Sequence, residues 1–563
     1  MTRPPFKTTE TRSKEEDTEK NQFELGLIFK GRVLAYPGNF LRGLCFLRPS
    51  VVRNCGKAPA KLTDTQSFFN HLFIALAVLV TASLRADVKP NPLFSDGAVL
   101  QRGLPVPVWG TARDGEKVTV EFDDQKVSAI TAGGKWSVSL KPLKEGGPFT
   151  MKITGDNTVT VNNLLVGEVW ICSGQSNMHF RMGSVANAQQ EIAAADHPAL
   201  RFFTVKEQLS QTPAAEAKGA WQTVSPQSAG QCSAVAYYFG RDLQKKLGVP
   251  VGLLVSSVGG TRIESWMRPE TLAATGQSGS LVGKWSKVPP DEFDKLAATY
   301  RAYQYQRDQV HPKAVKAAKA KGEPVPPAPE MPKPRCHDCP GALHNGMIAP
   351  VQPFALRGAI WCQGESNAGQ AAAYQKMLPA MIGDWRRVWG NQMPFLFVQI
   401  APHKSIHPAF REAQCRIWQS TPLTAMAVTT DVGDANNIHP TKKEPVGQRL
   451  ALAARALAYG EKIGYSGPLY DSMSAKDGKI TVSFKHAGGG LVAKGGELKG
   501  FTIAGGDRKF VPAKAAIQGS DIIVSADGVT HPKAVRYGWE NVPEVNLFNE
   551  EGLPASPFRT DVD

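Results

Sequence analysis

Val169-Trp-Ile-Cys172 runs directly into Ser173-Gly-Gln-Ser-Asn-Met178. Four apolar residues without polar alternation read as a strand buried on both faces, as in the interior of a parallel sheet. A serine just past such a strand sits at the rim of the sheet, at the carboxyl ends where ligands bind. Gly174 permits a tight turn there, and a backbone amide of that turn can face an oxyanion. The plain alternative is an ordinary strand-to-helix turn with a capping serine.

Working outward, the same apolar pattern recurs in Val251-Gly-Leu-Leu-Val255, Gly358-Ala-Ile-Trp-Cys362, Phe395-Leu-Phe-Val-Gln-Ile400 and Met426-Ala-Val-Thr-Thr430. Helical periodicity fills 234–247, 371–388 and 445–459 between and after these runs. Strands alternating with helices specify a three-layer α/β domain around a parallel sheet, spanning 166–460. Residues 284–340 read as an insertion in it, helical over 297–320 with a break at Pro312, then a loop containing Pro324-Val-Pro-Pro-Ala-Pro329. On either side the pattern is short alternating runs, such as Lys117-Val-Thr-Val-Glu-Phe122 and Lys479-Ile-Thr-Val-Ser-Phe484. These predict β-sandwich domains at 87–165 and 465–563.

The 563 residues suffice for three or four domains at about 100–200 residues each. A hydrophobic content of 42% and a charged content of 20% exclude wholesale disorder. The net charge of +15 contains no dense Lys/Arg run, and roughly +5 of it falls in the first 70 residues. That argues against a nucleic-acid partner. Leu72-Phe-Ile-Ala-Leu-Ala-Val-Leu-Val-Thr-Ala82, with Ala86 beyond it, resembles the apolar core and cleavage residue of an export signal. Residues 1–86 are therefore read as a leader, the mature protein as exported to the periplasm or outside the cell, and a membrane as a partner only if that segment stays uncleaved. Of the eight cysteines, only those of Cys336-His-Asp-Cys339 are closely spaced. A local disulfide, free thiols and a metal site are the three readings, and the absence of a second CxxC weighs against metal.

Four polar segments each lie at or past the carboxyl end of a strand. Besides 173–178 they are Ser256-Ser-Val-Gly-Gly-Thr261, Gln363-Gly-Glu-Ser-Asn367 and Asn437-Ile-His-Pro440. A histidine on a loop after a late strand is placed to act as general base to a distant serine, whereas singly each segment reads as a surface turn.

Together these segments resemble the blocks of the SGNH (GDSL-like) hydrolases, and more closely the sialate O-acetylesterase family. The resemblance rests on Gly167-Glu-Val-Trp-Ile-Cys-Ser-Gly-Gln-Ser-Asn-Met178, Gly259-Gly-Thr-Arg-Ile-Glu-Ser-Trp266, Trp361-Cys-Gln-Gly-Glu-Ser-Asn-Ala368 and Asp431-Val-Gly-Asp-Ala-Asn-Asn-Ile-His-Pro440. It runs from about residue 92 to the C-terminus and is thin over 284–340. It implies an SGNH-type catalytic domain and a serine carbohydrate O-acetylesterase without metal or cofactor. Its substrate would be an acetylated carbohydrate, either sialic acid or a polysaccharide. Ser176 would be the nucleophile and His439 the base. The N–H of Ser176, a glycine N–H (Gly260 rather than Gly259) and Asn367 would form the oxyanion hole. Gln175, Gln363 and Glu365 are the candidates for sugar contact, with bracing of the site as their competing role. One departure stands out: Asn436 occupies the place of the aspartate that orients the imidazole in the wider superfamily. Asp434 is the favoured substitute, its alternative being a loop residue in an Asx turn; Asp431, a carbonyl, or no orienting group are the other options. Cys362 and His344 also stand where aromatic residues are expected. The rival from another class is a non-catalytic glycan-binding protein on a decayed hydrolase fold.

Overall fold

The computed structural model describes residues 87–561. The leader and its export segment lie outside them. The spine of the fold is one 17-residue strand, Thr158–Gly174. Its first part pairs antiparallel with Gly146–Thr154, and its last part lies parallel between Val251–Ser257 and Gly358–Cys362. Side chains are mixed in exposure up to Asn163 and buried throughout from Leu164. Val169 and Ile171 enter one core, Trp170 and Cys172 the other. The boundary expected near 165 falls inside this strand, because the sequence pattern changes where burial passes from one face to two.

Across the central sheet the order is Trp221–Val224, His197–Thr204, Val251–Ser257, Thr158–Gly174, Gly358–Cys362, Phe395–Val398, Thr424–Ala427. Trp221–Val224 is antiparallel to its neighbour, and the other pairings in this row are parallel. Helices Ala234–Leu247 and Glu444–Tyr459 bury their apolar stripes on one face. Ala371–Trp389 and Pro408–Ser420 cover the other. The fold is thus mixed α/β around a large mixed sheet, since Gly146–Thr154 and Lys117–Phe122 extend it antiparallel from the spine. Chain order reverses at the spine: the strands to one side precede Gly358–Cys362, and those to the other follow it. In open α/β sheets such a reversal is where ligands bind, outside the carboxyl ends of the strands.

In the insertion, helices Pro290–Tyr305 and His311–Lys321 flank a wide turn at Gln306–Val310. The break therefore precedes Pro312, which sits in the first turn of the second helix, where its missing N–H costs nothing. Cys336 and Cys339 are separate buried thiols rather than a disulfide. No cluster of three metal-ligating side chains forms among the described residues. The C-terminal part holds antiparallel sheets packed over Ile480, Val482, Ile503, Ile522, Val524 and Val535. No helix among the described residues is long and apolar enough to cross a membrane.

Candidate active site

Three neighbouring strands deliver three loops to one place. Gly174 ends the spine at φ 134°, and a Cβ there would lie 2.1 Å from the Cys362 carbonyl oxygen, so only glycine fits. The Gln175 N–H donates to that carbonyl at 2.9 Å. The chain then turns into the four-residue helix Ser176–His179, which starts with Ser176. Val258 N–H donates to the Gly174 carbonyl at 3.1 Å, which seats the double-glycine loop beside the serine. A Cβ on Gly259 would sit 3.5 Å from Ser176 Cβ, and Gly260 holds φ 75°. Among the described residues, the backbone N–H groups of Ser176, Gly259 and Gly260 have no hydrogen-bond acceptor. Unspent donors clustered at a strand end favour a developing negative oxygen.

The histidine loop arrives from beyond Thr424–Ala427. Asn177 Nδ2 donates to the Ile438 carbonyl at 3.1 Å, so the residue after Ser176 is tied to the residue before His439. Asn437 Oδ1 accepts the His439 N–H at 2.9 Å. Asp434 Oδ1 accepts the N–H groups of Asn436 and Asn437 at 2.9 and 3.0 Å, an Asx turn that shapes the loop. Asp431 is bound through both oxygens to Arg449 at 2.7 and 2.6 Å. Among the described residues no carboxylate hydrogen-bonds or ion-pairs with the His439 imidazole. Burial, the Lys443 ammonium and His403 together hold that imidazole below the ordinary histidine range.

The remaining polar residues named from sequence are bonded to one another. Gln175 Oε1 accepts from the N–H groups of Gly364 and Ser366 at 3.4 and 3.3 Å. Gln363 Nε2 donates to the Thr261 carbonyl and to Asn367 Oδ1 at 3.1 and 2.8 Å. Glu365 Oε1 accepts from Asn177 at 2.6 Å. Asn367 Oδ1 also accepts the Ile263 N–H at 3.0 Å. Its amide protons go to Glu264 and to the exposed Gln370 at 2.9 and 3.0 Å. These bonds lock the loops after Val251–Ser257 and Gly358–Cys362 together. Cys362 and His344 are both buried. Sequence reasoning missed Asn177, Glu264 and Lys443. The one available signal was the polar Asn177 inside the serine segment, because Lys443 reads as an ordinary loop lysine.

The comparisons with known proteins follow this geometry. Residues 166–285 and 342–456 match the family model described as carbohydrate esterase, sialic acid-specific acetylesterase, and the gap between them falls on the insertion. The sialate O-acetylesterase of Mus musculus is 30% identical over 515 residues, which is 80% of this chain and 90% of that protein. That of Rattus norvegicus is 32% identical over 413 residues, 64% of this chain and 72% of that one. The crystal structure of XAC1771, a carbohydrate acetylesterase from Xanthomonas citri, aligns at a TM-score of 0.72 and 36% identity, covering 84% of this chain and 100% of that one. The chain therefore belongs to the sialate O-acetylesterase family, and with it to the carboxylic ester hydrolases.

Proposed function

We propose that the protein is an exported serine O-acetylesterase of SGNH type that removes acetyl groups from sugar hydroxyls. In this reading 166–460 is the catalytic domain and the flanking β regions at 87–165 and 465–563 are its scaffold. The observation that carries it is the set of three unspent backbone N–H groups around Ser176, with the His439 loop tied to the next residue.

Ser176 Oγ attacks the acetyl carbonyl as His439 takes its proton. The carbonyl oxygen, now negative, is held by the N–H groups of Ser176 and Gly260. Asn367 supplies a third donor once the exposed Gln370 releases one of its amide protons. The tetrahedral centre collapses, the sugar oxygen leaves with the proton from His439, and acetyl-Ser176 remains. Water, deprotonated by His439, then attacks the acetyl-enzyme, and acetate and free Ser176 are restored. Asp434 acts by shaping the histidine loop, while Gln175, Gln363 and Glu365 brace the pocket that receives the sugar.

The role given to Asp434 is testable. Asn keeps the Asx acceptor, so Asp434→Asn is expected to retain kcat to within about threefold, whereas loss of a true triad aspartate costs about 10⁴-fold. Burial also fixes the pH profile. The base is active when neutral, and its pKa lies below the ordinary histidine value. The acid limb of kcat/KM is thus expected below about pH 6.5. A limb at or above that value counts against His439 as the base.

The defining experiment measures acetate release by the purified protein from O-acetylated sialic acid, acetylated xylan and an acetylated pectic polysaccharide. Release from one or more of them, together with labelling of Ser176 by a serine-reactive phosphonate, is the expected result. No release and no labelling would favour the binding-protein alternative.

A further inference from the structure

Lys443 stands four residues past His439, immediately before helix Glu444–Tyr459, and its side chain is buried. A buried ammonium needs partners that hold it. Its Nζ donates to Asn177 Oδ1 and lies 4.8 Å from the centre of the Phe180 ring. The Asn177 amide passes the connection on through Nδ2, to Glu365 Oε1 at 2.6 Å and to the Ile438 carbonyl at 3.1 Å. An amide can be turned over at little cost when its partners are ambivalent. Here a cation faces the oxygen, and two acceptors face the nitrogen, so one orientation is enforced. The same amide joins the residue after Ser176 to the residue before His439.

Charge adds a second effect. In a Ser-His-Asp triad an anion behind the imidazole favours its protonated form. In this protein Asp431 is spent on Arg449 and Asp434 on the loop backbone. Burial opposes protonation of His439 most strongly, and the charged and titratable groups acting on it, Lys443 from the helix side and His403 from the adjacent loop, oppose it too. Lys443 in turn faces the Glu365 carboxyl and the Cys362 thiol, with Lys442 lining the same cavity.

We propose that Lys443, acting through Asn177, is the positioning residue of the Ser176–His439 pair, and that its ammonium takes the place of a triad anion as the charged group beside that pair. This rests on the reading of Ser176 and His439 as nucleophile and base. Burial supports it from the other direction, because it pulls the Lys443 ammonium down to about 8, so the charge is present at neutral pH and lost in mild alkali.

The test uses the full protein and three variants. Lys443→Met is expected to lower kcat by about tenfold or more with little change in KM. It should also move the acid limb of kcat/KM upward by about half a pH unit or more. Lys443→Arg keeps the charge at all working pH values, so its acid limb should stay in place and any fall in kcat above about pH 8 should disappear. That arginine comparison stands even if Lys443→Met does not fold. NMR titration of the His439 ring, in Ser176→Ala protein with and without Lys443→Met, reads the charge effect independently of activity. An unmoved His439 titration, or an alkaline limb retained in Lys443→Arg, overturns the proposal. Full activity in His439→Ala would instead overturn the catalytic reading on which it rests.

Discussion

Ser176→Ala is expected to lower kcat for acetate release by about 10⁴-fold or more, equal to about 5.5 kcal/mol of transition-state stabilisation. KM should change little, because the proposed oxyanion donors, two backbone N–H groups and the Asn367 amide, survive the substitution. His439→Ala should fall to a similar level, and the double variant no further, since in the proposed mechanism nucleophile and base act as one unit. The measurement is steady-state acetate release with each variant, alongside a thermal melt to show that each is folded. Retention of activity to within about tenfold in Ser176→Ala would remove the covalent mechanism. Helix Ser176–His179 has its first residue at the rim, so loss of one hydroxyl leaves the local packing intact.

The second large effect concerns stability. Glu168 is fully buried at the start of the parallel part of the spine. Its carboxylate accepts from Arg102 Nε at 2.6 Å, Arg357 Nε at 2.7 Å and Gln101 Nε2 at 3.0 Å. Glu168→Ala removes the acceptor and leaves two guanidinium groups without their shared anion. Breaking a buried pair this way costs about 3–5 kcal/mol. The arginine side chains are each 24% exposed, and water compensates part of the loss, so the lower end applies. At about 1 °C per kcal/mol for a fold of this length, the melting midpoint should fall by roughly 3 °C. Activity of the folded fraction at 25 °C should be retained, because Glu168 lies about 20 Å along the strand from Ser176. A midpoint within about 1 °C of the parent would show that the three side chains re-solvate at no cost.

The legible parts of the fold are those whose burial writes directly into composition. Val251–Ser257 and Gly358–Cys362 are apolar runs because helices cover both faces of the sheet. His197–Thr204 was not legible, since Pro198 and Arg201 interrupt its run. Arg201 is tolerated in the interior because its guanidinium reaches Asn163 Oδ1 at 2.9 Å, a partner 38 positions away. The same limit applies to the site. Gly174 was readable because a tight turn demands that residue type, while Ser176 was singled out through the resemblance of its segment to a family block. The use to which Asn367 and Asp434 put their polar atoms was not. Asn367 gives a proton to Glu264, 103 positions upstream, and Asp434 turns back on its own loop. Lys443 was invisible for a related reason, because nothing nearby in sequence announces a buried cation.

The strand Thr158–Gly174 leaves no articulation between the N-terminal β region and the rim where Ser176 stands. The serine stands at the tip of a rod whose butt is gripped by Gly146–Thr154. Removing residues 87–157 would not detach a module. It would strip two ladders from the rod, those of Val99–Gln101 and Gly146–Thr154, and expose raw sheet margin able to recruit other chains. The N-terminal region is thus a splint for the serine, to be transplanted or engineered only together with the strand it holds.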